Sequence, residues 1–189
     1  MGRRRQPEIR QRILDACTDH VLDDGLPDRL EPLGAAAGTS ARMLIYHFGT
    51  RDALLREILG QTRQRQIEVF GEVLRPHDGE PYTVTLARAW TELTGPRCAP
   101  YLRLFSQLHR TAEHSLWPDF RRTATLDWLA PLEQGLTGLG QPQHATLVLA
   151  VIRGLLLDRD ATTDTTRPDH AFADFLHLLD PAGGANDHR

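Results

Sequence analysis

Apolar side chains recur every three or four residues along most of the chain, which is the spacing of amphipathic helices. Segments with this pattern predict helices over residues 8–24, 29–37, 41–48, 51–74, 83–93, 100–111, 118–136, 141–157 and 169–179. No stretch of useful length alternates with the period of two that indicates a strand. The pattern predicts an all-α protein.

Two of the predicted helices are short and are joined by the turn Gly38-Thr39-Ser40. Asp28 and Glu31 are spaced as a capping box before the first of them. Thr39 or Ser40 is expected to cap the second. Two short helices around a tight turn containing glycine are typical of a helix-turn-helix, whose second helix lies in the major groove of DNA.

The predicted second helix separates inward-facing from outward-facing side chains. Leu33, Ala37, Leu44 and Phe48 are expected to pack inward. The side chains expected on the outside are those of Ser40, Ala41, Arg42, Met43, Tyr46 and His47. Arg42 can bind a guanine edge or a phosphate, whereas Tyr46 and His47 can hydrogen-bond phosphates.

The segment 36–48 (AAGTSARMLIYHF), followed by TRDALL at 50–55, resembles the tetracycline-repressor (TetR) family. The resemblance implies a helix-turn-helix DNA-binding domain at 1–60 and a helical ligand-binding and dimerisation domain at 61–189. It further implies a homodimer through residues 141–180, a palindromic double-stranded DNA operator, and repression released by a small-molecule effector. The predicted DNA-binding residues are Arg3, Arg4, Arg5, Thr39, Ser40, Ala41, Arg42, Met43, Tyr46, His47 and Arg51.

Three positions depart from the family pattern. Ile45 stands where the family usually has a phosphate-binding tyrosine, Leu30 replaces a threonine-rich start, and Ala41 replaces a frequent polar residue. Each departure removes a contact to phosphate or base. An alternative therefore stays open, in which the fold is kept as a helical module that binds a protein partner or ligand with weak DNA binding or none.

Charge is distributed unevenly along the chain. Residues 1–65 contain 11 Arg against 9 Asp or Glu, whereas residues 66–189 contain 11 Arg against 16 acidic residues. The run Arg3, Arg4 and Arg5 concentrates the basic excess at the start of the sequence. Such a cluster attracts phosphates.

Aromatic and polar side chains in the middle of the sequence are candidates for an effector site, since such residues line small-molecule pockets. They are Trp90, Tyr101, Phe105, His109, Trp117 and Trp128. A helical core uses the same residues, so this alternative also stays open. Arg153 lies within the apolar segment 147–157. It can simply face solvent, and if buried it needs a partner such as Asp127, Glu133, a second protomer or an anionic ligand.

The remaining patterns exclude several classes of protein. The histidines and the cysteines Cys17 and Cys98 do not have metal-ligand spacing, and no HExxH, GxSxG, GxGxxG or P-loop occurs. We therefore expect no enzyme activity, cofactor or metal. No apolar run approaches the roughly 18 residues of a membrane span, and the start has no apolar signal-peptide core, so we expect a cytoplasmic protein. Cys17 is expected to be buried, with redox sensing by the two thiols as an alternative.

Overall fold

The computed structural model describes residues 5–110 and 120–180, without the side chains of residues 5, 6, 109, 110, 120 and 121. These residues form nine α-helices and no strand, which confirms the all-α prediction. The helices are α1 (Arg5–Asp24), α2 (Glu31–Ala36), α3 (Ala41–Phe48), α4 (Arg51–Val73), α5 (Tyr82–Thr94), α6 (Ala99–Arg110), α7 (Phe120–Thr137), α8 (Ala145–Thr162) and α9 (Thr166–Leu179). None of the helices in these ranges is both long and apolar enough to cross a membrane.

Helix α2 is shorter than its sequence predicts, and the capping box is absent. The helix begins at Glu31, with Leu30 at its N-cap and no side chain accepting a hydrogen bond there. Pro32 occupies the first turn, where its missing N–H leaves one donor fewer to cap. Leu33 is fully buried, but Leu30 and Ala37 are partly exposed, and the buried partner of Leu33 in this helix is Gly34.

The polar, threonine-rich segment 159–168 predicts a loop between the predicted helices 141–157 and 169–179, and this prediction is wrong. Helix α8 continues to Thr162, and α9 already begins at Thr166. Charged side chains stabilise the end of α8 and the start of α9. Arg159 of α8 donates to Asp169 of α9 at 2.8 Å, and Asp164 Oδ1 accepts from the Thr166 backbone N–H at 2.9 Å. The polar residues therefore cover the exposed side of two helices instead of forming a long loop.

The described residues divide into two compact units. Residues 5–67 and 99–110 form the first unit, which contains α1, α2, α3, α6 and most of α4. Residues 68–98 and 121–180 form the second unit, which contains α5, α7, α8 and α9. Compact units reflect packing rather than function, so the functional boundary at residue 60 stays a prediction.

Aromatic side chains organise the interior of the second unit. Trp90 stacks on Phe172 with 4.6 Å between ring centroids, and its indole N–H donates to Asp169 at 2.8 Å. The Tyr82 hydroxyl donates to the carbonyl oxygen of Leu74 at 3.0 Å. Helix α5 is thereby fixed to α9 and to the segment that follows α4.

Candidate nucleic-acid interface

Helix α3 has one buried face and one exposed face. Its bounds, Ala41–Phe48, agree with the prediction. Leu44 and Phe48, one helical turn apart, are buried, whereas Arg42, Met43, Ile45 and Tyr46 are exposed. Tyr46 retains 68% of its accessible surface. We call these four exposed side chains the α3 outer face.

The N-terminal end of α3 is capped as the sequence predicts. Ser40 has extended backbone angles, and its Oγ accepts from the Met43 backbone N–H at 3.3 Å. The hydroxyl hydrogen of Ser40 is still available to donate, for example to a phosphate oxygen. Thr39 does not serve as the cap.

The turn before α3 approaches α2 very closely at Gly34. A Cβ placed on Gly34 would lie 3.0 Å from the backbone oxygen of Thr39. Gly38 has a φ of +63°, in the left-handed region that favours glycine. Gly38 was recognised in the sequence as a turn residue, but Gly34 was not, because a glycine inside a helical pattern does not indicate what packs against it.

The C-terminal end of α3 is held by Arg10 of α1. Arg10 Nε donates to the carbonyl oxygen of His47 at 3.2 Å, and the guanidinium carbon lies 4.5 Å from the centroid of the Phe48 ring. The same guanidinium pairs with the carboxylate of Glu57 on α4. Arg10 is not among the predicted DNA-binding residues, because a helical pattern does not indicate contacts to a distant backbone oxygen.

The start of α4 is fixed by a threonine cap and by an arginine that reaches the loop before α2. Thr50 Oγ1 accepts from the Ala53 backbone N–H at 3.0 Å and caps the helix. Arg51 is partly exposed; its Nη2 donates to the carbonyl oxygen of Pro27 at 3.2 Å, and its Nη1 lies 3.7 Å from Asp52. Its predicted phosphate contact stays a prediction, and the structure adds that Arg51 ties α4 to the loop before α2.

That loop is also held from α6. Gln107 accepts from the Leu26 backbone N–H at 3.2 Å and donates to the Leu26 carbonyl oxygen at 3.4 Å, so one amide satisfies both polar groups of the residue. Gly25 has a φ of +87°, and a Cβ there would lie 2.9 Å from Gln107 Oε1. Helices α4 and α6 together therefore fix the α1–α2 loop.

Solved structures share this arrangement of helices over nearly the whole chain. A TetR-family regulator from Cytophaga hutchinsonii has a TM-score of 0.72 at 16% identity and covers 93% of this chain and 94% of its own. A transcriptional regulator from Rhodococcus sp. Rha1 has a TM-score of 0.69 at 21% identity, covering 90% and 95%. The multidrug binding protein EbrR, complexed with imidazole, has a TM-score of 0.64 at 26% identity, covering 96% and 94%.

The chain has the TetR fold. No family model matches the sequence, and no curated protein matches it either. The likeness to the TetR family that the sequence suggested is therefore confirmed through the fold, in which α2, the turn and α3 form the helix-turn-helix.

Within the TetR fold, the predicted effector residues fall into different parts of the chain. Tyr101 and Phe105 lie buried on α6 in the first unit. Trp90 and Trp128 belong to the second unit, where Trp128 lies 4.9 Å from Phe70 between ring centroids. The side chain of His109, all of Trp117, Arg3 and Arg4, and the side chain of Arg5 lie outside the described residues.

The side chain of Arg153, on α8, is not buried. The side chain is exposed and donates to Thr125 Oγ1 at 3.1 Å and to the Ala124 carbonyl oxygen at 3.2 Å. Of the alternatives for Arg153, the structure shows the solvent-facing one, and the side chain reaches across to α7.

Proposed function

We propose that this chain is a DNA-binding transcriptional regulator that represses by binding a palindromic operator as a homodimer. The observation that carries the proposal is the α3 outer face, held on a helix fixed at both ends, by Ser40 and by Arg10. Arg42 is exposed on its first turn, where helix-turn-helix proteins contact bases, and Tyr46 projects from its second turn. A regulator of this kind acts beside the chromosome, so the proposal includes a cytoplasmic location.

Dimerisation through α8 and α9 is supported by apolar side chains exposed on these two helices. Leu147, Leu157 and Leu178 are 49%, 68% and 84% exposed. Gly154 has no atom within 4 Å of an added Cβ, which leaves room for close approach by another helix. Burying such a surface against a second copy is favourable. Two copies would then present α3 to successive major grooves, about 34 Å apart.

We further propose that a small organic molecule controls DNA binding. EbrR, at 26% identity over most of both chains, is a multidrug binding protein complexed with imidazole. The candidate contacts remain Trp90, Tyr101, Phe105, His109, Trp117 and Trp128. An effector acts only through a difference in its affinity for the DNA-bound and free forms. Saturating effector should therefore weaken operator binding by the same factor by which operator weakens effector binding.

A second candidate function is supported by two apolar side chains on the α3 outer face. Met43 and Ile45 are 39% and 37% exposed, and neither carries a hydrogen-bonding group that reaches a phosphate. A protein partner would bury such side chains favourably. In this alternative the chain keeps the fold and binds a partner protein or ligand, with weak DNA binding or none.

Selection from a random duplex library distinguishes the two functions. Duplexes enriched by the wild-type chain are tested for affinity across a salt series, since phosphate contacts make log K fall with log salt. We expect Arg42→Ala to lower the affinity for the selected duplex by about tenfold to a hundredfold, which is the usual effect of losing one base contact. Arg97→Ala, which removes an exposed arginine of the second unit, is the matched control and should leave affinity unchanged.

Two results would count against DNA reading. A selection that enriches no sequence, together with no binding to random duplexes at low salt, would favour the partner-binding alternative. Equal affinities for wild type and for both Arg42→Ala and His47→Ala would remove α3 as the reading helix while leaving DNA binding itself intact.

A further inference from the structure

We propose that Arg10 is a positioning residue for DNA reading, which fixes the C-terminal turn of α3 against α1 and α4. The inference rests on the proposed function and extends it to a residue that sequence analysis did not place at the interface. Arg10 lies on α1, but each of its three interactions is made with α3 or α4.

One planar group makes all three interactions. The guanidinium carbon lies over the Phe48 ring, 4.5 Å from its centroid, while Nε donates to the His47 carbonyl oxygen at 3.2 Å and Nη2 pairs with Glu57. A lysine ammonium has no flat face and no second donor nitrogen, so it cannot reproduce this set. The geometry therefore requires the guanidinium and not only its charge.

The interaction at His47 lies where α3 needs a partner. The last four carbonyl oxygens of a helix receive no hydrogen bond from within the helix, and a cation near them also complements the helix dipole. Gly49 N–H satisfies the Ile45 oxygen at 2.8 Å, and Arg10 satisfies the His47 oxygen. Because His47 contacts the Tyr46 ring edge-on, with centroids 5.2 Å apart, the same anchor orients the end of the α3 outer face.

Glu57 determines how Arg10 acts on DNA. Its carboxylate pairs with the guanidinium, and both side chains are about one-third exposed, at 37% and 34%. The pair is close to neutral, but removal of Arg10 alone leaves the Glu57 carboxylate unpaired and lowers the local charge by one, as the loss of any arginine of α1 does. The loss of Arg10 should therefore reduce the discrimination between sequences, beyond the uniform loss of attraction to DNA that the removal of one positive charge causes, since base contacts specify and phosphate contacts only position.

The test compares Arg10→Gln with Arg12→Gln. Arg12 is an exposed arginine two residues along the same helix, so both variants lose one charge from α1. Affinity is measured for the duplex selected by the wild-type chain and for a scrambled duplex, each across a salt series. We expect the affinity of Arg10→Gln to fall by about tenfold or more for the selected duplex, and for the scrambled duplex by no more than that of Arg12→Gln falls. Arg12→Gln should change both duplexes by one factor.

Two further variants keep the proposal testable if Arg10→Gln folds poorly. Arg10→Lys preserves the charge and Glu57→Gln preserves the shape, and thermal unfolding reports whether each is folded. Both should reduce the preference for the selected duplex, with Glu57→Gln the milder, because the hydrogen bond to His47 remains.

Three outcomes would overturn the positioning role. These are an unchanged ratio of selected to scrambled affinity in Arg10→Gln, a wild-type ratio in Arg10→Lys, and an equal loss on both duplexes with a salt slope lower by about one, which marks a plain phosphate contact. A wild-type chain that prefers no duplex would instead overturn the proposed function, and the Arg10 proposal with it.

Discussion

The thiols of Cys17 and Cys98 are surrounded by protein, and their environment decides what they can do. Both are fully buried, and Cys17 Sγ lies 3.6 Å from the carbonyl oxygen of Leu33. Burial raises the pKa of each thiol from the usual 9.0 to about 11, because the thiolate would lose its hydration. The thiolate is the reactive form, so these cysteines are packing residues at neutral pH. The predicted burial of Cys17 is confirmed.

Thiol labelling tests this account. At pH 8 the native chain should react with a disulfide reagent far more slowly than the unfolded chain, which should release two equivalents promptly. Stability should be indifferent to these groups below about pH 9 and should fall as the pH rises from about 9 to about 11, because the unfolded chain loses the protons first. Rapid labelling of either native thiol, or loss of effector response in Cys98→Ser, would instead support redox sensing.

Arg10 and Gln107 show what a sequence pattern can and cannot predict about single residues. Both have the polar character of a solvent-facing helical position, and the pattern placed their helices correctly. Their partners, His47 and Leu26, are 37 and 81 residues away along the chain. Hydrogen bonds to backbone groups leave no trace in the residue type of the partner. Ser40 could be predicted because its partner, Met43, is three residues away.

At the scale of helices, local signals predicted α3 and failed for the segment between α8 and α9. The bounds of α3 follow from a capping serine and from Gly49, whose φ of +84° ends the helix. The threonine-rich segment 159–168 has weak helix formers, but ion pairs between the two helices keep most of it helical. Contacts between the two helices outweigh the low helix propensity of this segment. A sequence pattern read over a few neighbouring residues does not reveal a pair that lies ten residues apart.

Packing of α5 on α7 leads to a prediction about Gly135. A Cβ on this residue would lie 2.0 Å from the ring carbon Cζ of Tyr82, whose hydroxyl is anchored to Leu74. Gly135→Ala should therefore force the ring or the helix to move and destabilise the chain by about 1–3 kcal/mol, as overpacking of a core does. Urea unfolding followed by circular dichroism measures the difference.

Gly138, in the turn after α7, provides the control. The nearest atom to a Cβ there is the Gly135 oxygen at 3.5 Å, an ordinary contact distance. Gly138→Ala should change the free energy of unfolding by no more than about 0.5 kcal/mol. Similar stabilities for the two alanine variants would show that Tyr82 does not pack closely on Gly135.

The whole molecule combines two compact units with separate tasks in the proposed function. The first holds the α3 outer face and its anchors, Ser40 and Arg10, and also includes α6, whose Gln107 clamps the α1–α2 loop. The second exposes the apolar side chains of α8 and α9. In the proposed function, two copies of the first unit bind the two halves of a palindrome. The exposed leucines of the second unit would join these copies into a dimer.

Charge placed on the exposed leucines tests that assembly. The double variant Leu157→Glu, Leu178→Glu introduces two carboxylates where a partner would bury apolar surface, and a carboxylate is buried only at a cost of several kcal/mol. We expect light scattering at micromolar concentration to give the mass of two chains for the wild type and of one chain for the variant. Leu126→Glu, at a 54% exposed leucine of α7, is the matched control and should remain dimeric.

Loss of the dimer should carry a defined cost for DNA. A monomer binds one half-site, so the double variant should lose most of its affinity for the selected palindrome but retain that for an isolated half-site, because the α3 outer face is untouched. Circular dichroism should be unchanged, since both leucines are solvent-exposed in a single chain. A variant that stays dimeric would place the interface elsewhere, and a monomeric wild type would contradict the homodimer itself.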